Sequence, residues 1–122
     1  MTDILKEIRT HLINSKVVTD SECKFNITTS DDEIVCLWVY GGYREVLGDS
    51  PTVQIKVLSK DARQAENKIN AIFKALVTNK PIRISIINNK KMRIVEAQQP
   101  FFVEKDTQQR FVWVFNITVT AF

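Results

Sequence analysis

The side chains that most often do chemistry are scarce in this 122-residue chain, and their spacing does not gather them. His11 is the single histidine and Cys23 and Cys36 are the only cysteines. A zinc centre of the usual kind takes three or four nitrogen and sulfur ligands, which these residues do not supply. A Ser-His-Asp or Cys-His nucleophile would have to use His11 as its base. The position of His11 on the polar side of an amphipathic segment reads instead as an exposed surface histidine. Asp31, Asp32 and Glu33 are neighbouring carboxylates of the type that perform acid–base work or hold a hard cation. Set between two apolar runs, they read more simply as solvated acids in a turn. Gly41-Gly42 lacks the following helix and the Gly-Lys-Ser/Thr ending that let a glycine loop cradle phosphate. The expectation is a non-enzyme with no catalytic residues, no metal and no cofactor, whose work is done by surfaces.

Composition narrows the kind of surface. The +3 charge is the difference between 17 Lys and Arg and 14 Asp and Glu spread along the chain. The nearest basic group is Lys80, Arg83, Lys90, Lys91 and Arg93, which reads as a solvated hairpin tip. Nucleic-acid affinity comes from neutralising adjacent phosphates with charge gathered on one face, so no specific nucleic-acid binding is expected. The N-terminal MTDILKEIRTHLI carries charges through its apolar pattern, unlike the core of a signal peptide. No apolar run approaches the ~20 residues that span a bilayer, so no membrane partner is expected and the cytoplasm is the expected site of assembly. With 44% hydrophobic residues, three Gly, three Pro and no linker or repeat, residues 1–122 read as a single domain.

The elements follow from apolar periodicity. Ile4, Leu5, Ile8, Leu12 and Ile13 form a helical stripe, with Thr2 or Asp3 available to cap it. Strands are expected near 23–29, at Glu33–Tyr40 and at Pro51–Leu58, with a loop over Gly41–Ser50 that holds all three glycines. In the second of these strands Ile34, Cys36, Trp38 and Tyr40 share one face and Val35, Leu37 and Val39 the other, so a central strand, or one face covered by a partner, is expected. Ala62, Ala65, Ile69, Ile72, Phe73 and Leu76 mark the second helix, capped by Ser59 or Asp61 and ending near Asn79 because Pro81 follows. Pro81–Ile87 and Met92–Ala97 read as a hairpin around an Asn88–Lys91 turn. Phe101-Phe102 continues extended, Glu104–Arg110 is a polar turn, and Phe111–Phe122 alternates as the last strand. The fold class is α+β: two helices packed on an antiparallel or mixed sheet of about five to six strands.

Aromatic residues are enriched at interfaces. Trp38 and Trp113 read as core, whereas Tyr43, Arg44, Val46 and Leu47 in the glycine segment, Lys90 and Lys91 at the hairpin tip, and Phe101 and Phe102 are the candidate contact residues.

One run of motifs carries a resemblance. Val53-Gln54-Ile55-Lys56-Val57, the Ser59 and Asp61–Glu66 opening of an Ile-rich helix, Gln98-Gln99-Pro100-Phe101-Phe102 and Arg110–Ile117 together resemble the minor capsid and tail terminator proteins of long-tailed bacteriophages and prophages, over roughly residues 33–122. The resemblance implies an α+β protein that forms a ring, a hexamer in that family, at the head-proximal end of the tail in the virion. Such a ring ends tail-tube polymerisation and forms the head–tail joint. Its implied partners are copies of itself, the tail tube protein and the head connector or head completion protein. Another head–tail connector or head completion protein is the alternative. A small ligand-binding module, marked by a deep pocket at Trp38, Tyr40 or Arg44, or a nucleic-acid-binding module, is a further one.

Overall fold

The computed structural model describes residues 4–25, 29–45, 48–77, 84–87 and 90–121. Thr2, Asp3, Val46, Leu47, Asn79, Pro81, Asn88 and Asn89 lie outside the described residues. Helix α1 spans Ile4–Asn14 and α2 spans Ala62–Leu76. The strands are β1 (Cys23–Phe25), β2 (Glu33–Glu45), β3 (Gly48–Ser59), β4 (Ile84–Ile87), β5 (Lys90–Ala97), β6 (Phe101–Lys105) and β7 (Phe111–Ala121).

They form one mixed sheet in the order β1-β2-β3-β7-β5-β4, with β6 also paired to β7. The β1–β2 pair is parallel and the other pairs are antiparallel. This is the α+β class with two helices that the periodicity predicts. The short runs β1 and β6 bring the sheet to seven strands among the described residues.

Both helices lie on one face. Val35 and Leu37 of β2, Val53, Ile55 and Val57 of β3, and Phe115, Ile117 and Val119 of β7 are buried against Leu5, Ile8 and Leu12 of α1 and Ala65, Ile69, Ile72 and Leu76 of α2. Phe73 meets Phe115 edge to face at 5.2 Å. Asp61, rather than Ser59, caps α2: its carboxylate accepts from the Gln64 N–H at 2.9 Å, satisfying one of the amides the first turn leaves open. Helix α1 touches both β2 and β4, which stand four strand spacings apart, about 19 Å. It therefore lies across the strands rather than along them.

Two turn assignments change. Gly41–Glu45 and Gly48–Ser50 continue the β2–β3 ladder, with Gly41 paired to Thr52, Gly42 to Pro51, Tyr43 to Ser50, Arg44 to Asp49 and Glu45 to Gly48. The glycines mark a one-residue register shift between Val39 and Gly41 instead of a loop, a bulge that re-aims the strand. Pro51 is tolerated because β3 has β7 as a neighbour only from Thr52 onward. Lys90 and Lys91 likewise belong to β5, opposite Ile87 and Ile86, so they are strand rather than turn.

Deleting buried methylenes under α2 leaves a cavity, whereas deleting the cap removes one charge-assisted hydrogen bond. Ile69→Ala should cost about 3 kcal/mol and Asp61→Ala about 1 kcal/mol in urea unfolding. Equal costs would mean that α2 is not seated as described.

Candidate interaction surface

Register places the candidate residues in two groups. Beyond Thr52–Thr118, β2 and β3 continue as a two-stranded arm of about 13 Å, with no third strand paired to it among the described residues. Tyr43 and Arg44 lie in this arm, and Val46 and Leu47 lie outside the described residues. Lys90 and Lys91 start β5 at the same end of the sheet, next to the pairing of Met92 with Ala121. Phe101 and Phe102 lie apart from both, in the opposite half of the sheet, where Phe102 pairs with Trp113.

Strands β5 and β6 are one broken strand beside β7. Fourteen residues, Met92–Lys105, run along the eleven of Phe111–Ala121. The three extra residues fall at the shift between Ile94 and Glu96, at the break between Ala97 and Phe101, and at the shift between Phe102 and Glu104. The Gln98 N–H bonds the Asn116 carbonyl at 2.9 Å, so the ladder persists into the break. Because β4 pairs only with β5, no strand covers the outer side of β6 among the described residues. Every residue of β6 is exposed: Phe101 by 40%, Phe102 by 46% and Val103 by 47%, followed by Glu104 and Lys105. Phe102 rests on Trp113 at 5.9 Å and Phe111 at 6.3 Å, and the Lys105 ammonium sits 5.1 Å from the Phe111 ring. Trp113 is half-buried against the core.

The turn behind β6 is held by a pair read in the sequence only as polar. The Asp106 carboxylate accepts from the Gln108 N–H at 3.0 Å, the Arg110 N–H at 2.9 Å and Arg110 Nε at 2.9 Å. Gln109 takes a positive φ of 66° to close the turn. Arg110 is buried, and its Nη1 donates to the carbonyls of Thr29 at 2.6 Å and Asp31 at 2.9 Å. By strand alternation Arg110 shares the helix-free face with Val112 and Val114, which pack with Ile34 and Leu58 as a second small core. The segment entering β2 is thus tied to the start of β7 beside that small core. Burial raises the Asp106 pKa, but the Arg110 and Gln108 bonds outweigh it and hold the carboxyl below its ordinary value.

At the opposite flank, Arg9 Nε donates to the Cys23 carbonyl at 3.1 Å, Arg9 Nη2 bonds Asp20 Oδ1 at 2.6 Å, and the guanidinium lies 5.8 Å from the exposed Phe25 ring. Edge strand β1 is therefore partly capped by a side chain of α1. Cys23 and Cys36 are buried, and loss of solvation pushes the Cys23 thiol up to about 11 despite the nearby Arg9. His11 is half-buried rather than exposed, with Nε2 3.2 Å from the Ala75 carbonyl, so it links the two helices.

A cleft of about 400 Å³ lies beside α2, lined by Lys16, Glu22, Glu33, Leu58, Gln64 and Lys68 among others. Its Lys68–Glu22 ion pair is 2.8 Å long. Burial raises the Glu22 pKa, but hydrogen bonds from Lys68 and Thr19 more than reverse this and leave it below its ordinary value. Trp38 takes no part in the cleft. It stands half-buried on the helix-free face with Lys56 Nζ 5.9 Å from its ring, and its enclosed Nε1 has no hydrogen-bond partner among the described residues. No group of three or more His, Cys, Asp or Glu among the described residues is arranged to hold a metal. No helix among them is long and apolar enough to cross a membrane.

A family model described as bacteriophage tail terminator protein matches residues 11–121, which span the whole of this sheet, α2 and the last turn of α1. The chain belongs to the bacteriophage tail terminator family. A chain from a solved structure titled "Virion of native gene transfer agent (GTA) particle" is similar at 15% identity and a TM-score of 0.47, over 93% of this chain and 89% of that one. No curated protein matches. As a tail terminator family member, the chain is a structural phage tail protein, of a kind that is not enzymatic.

The Asp106–Arg110 pair is enclosed and the Arg9–Asp20 pair exposes most of its carboxylate, which sets a contrast in stability. At pH 7 Asp106→Ala should cost about 3 kcal/mol in urea unfolding, because it strands a buried guanidinium, while Asp20→Ala should cost less than about 1 kcal/mol. The Asp106 contribution exists above the unfolded carboxyl pKa of 3.8 and is lost as pH falls through the lower folded value, so the Asp106→Ala deficit should shrink below about pH 4. A deficit independent of pH would contradict the assignment.

Proposed function

We propose that this chain forms a ring, a hexamer, on the head-proximal end of the phage tail tube, where it ends tube polymerisation and provides the surface that joins the head. Its partners are copies of itself, the tail tube protein and the head connector or completion protein. Membership of the tail terminator family supports this reading. The observation that carries it is the difference between the two flanks of the sheet. One presents the uncovered, apolar β6, and the other presents β1, capped by Arg9. A closed ring needs two unlike patches on opposite flanks of each subunit, whereas a two-fold dimer needs one patch that complements itself. An exposed apolar strand is a hazard to a free subunit and a joint in an assembled one.

The β2–β3 arm and the start of β5, at one end of the sheet, are the surfaces proposed to meet the tube or the connector. They carry Tyr43, Arg44, Lys90 and Lys91. Polymerising tail tube protein with and without the chain tests this directly. Far fewer than one copy per tube subunit should cap one end of each tube in negative-stain images and stop its growth. Tubes that grow unchanged with uncapped ends would contradict the reading, and binding to isolated head connectors alone would make the chain a head completion protein.

A further inference from the structure

Exposed phenylalanines stand at both flanks of the sheet. Phe25 on β1 is 37% exposed, and Phe101, Phe102 and Val103 form the apolar run of β6. Charges adjoin both: Lys24 precedes Phe25, and Glu104 follows Val103. Strand β1 runs parallel to β2, whereas β6 runs antiparallel to β7. Since β2 and β7 are each antiparallel to β3, the two flank strands run in opposite directions. A second copy placed beside the first in the same orientation therefore brings its β1 antiparallel to β6. One step back along β1 is then one step forward along β6.

This antiparallel relation selects a register. Seating Phe25 against Val103 sets Lys24 against Glu104, an apolar pair beside an ion pair. Seating Phe25 against Phe101 sets Lys24 against Phe102 and Glu104 opposite Glu22. Seating it against Phe102 sets Lys24 against Val103 and Glu22 opposite Lys105, but Glu22 is already held by Lys68 at 2.8 Å within its own subunit. The faces agree as well. Lys24 pairs with Cys36 and Glu104 with Val112, and both partners belong to the helix-free face. Within one copy, Lys24 lies level with Phe101 through Cys36, Lys56 and Val114. The selected register therefore offsets neighbours by two residues, about 7 Å, along the strands.

We infer that the subunit joint is made by β6 of one copy against β1 of the next, with Val103 and Phe102 receiving Phe25 and Glu104 pairing with Lys24. Arg9 already occupies the outward Cys23 carbonyl, so the joint combines a short backbone ladder with these side-chain contacts. The inference rests on the ring reading above and names the contact that such a ring would use.

Native mass measurements over a wide concentration range test it on the wild type, Lys24→Glu, Glu104→Lys, the double reversal and Phe25→Ser. The expected result is a wild-type ring and, for each single reversal, about a tenfold rise in the concentration at which the ring dissociates. The double reversal should return that concentration near the wild-type value, and Phe25→Ser should weaken the ring at least as much as a single reversal. Circular dichroism confirms that each variant is folded, as these side chains lie outside the core. A ring that ignores all four variants would overturn this contact and leave the ring reading standing. A wild type that stays monomeric throughout would overturn the ring reading and this contact with it.

Discussion

The fold depends on the two-sided hydrogen bonding of β7. One side of this strand is spent on β3 from Phe111 to Thr118, and the other is shared by β6 and then β5. Buried backbone amides and carbonyls must be paired, so a strand at this position fixes the register of everything beside it. Its inward residues Phe115, Ile117 and Val119 supply the floor on which α2 rests, and Val112 and Val114 supply the small core beside Arg110. The mismatch in length between β7 and its β5–β6 neighbour is absorbed by bulges, which bend the strand. Strand β6 is thereby left beside β7 with no strand on its other side among the described residues, and the proposed joint is a consequence of that pairing.

Local patterning revealed more than tertiary contacts did. The stripe of α2 and the alternation of β3 and β7 are legible because one buried face imposes a period of 3.6 or 2 on the apolar residues. The arm was not legible: glycines at a bulge and glycines in a loop look alike without the partner strand. Lys90 and Lys91 read as turn by polarity, although their backbone pairing decides their place. Arg110 reads as a turn residue because its carbonyl partners, at Thr29 and Asp31, lie some eighty positions away in the chain. Distance in sequence likewise hides the small core that Ile34 forms with Leu58, Val112 and Val114 on the face away from the helices.

The candidate surface was legible in part. Phe101 and Phe102 stand out by type, and the structure adds Val103, Glu104 and Lys105 on the same uncovered strand. Phe25 carries no signal in sequence, since a lone aromatic at the end of a short apolar run reads as core. The contrast between the flanks is a property of the sheet order and of Arg9 reaching over from α1. In a protein that works by assembly, the informative residues are those that the monomer leaves uncovered at a cost in solubility.

Hydrogen exchange compared between dilute subunits and assembled particles tests the central claim most directly, because it reports where the backbone becomes protected without assuming a contact. The account predicts new protection concentrated at Phe101–Lys105 and Cys23–Phe25, with the β7 amides already protected in the free subunit. Unchanged exchange at β6, with new protection confined to other surfaces, would contradict it.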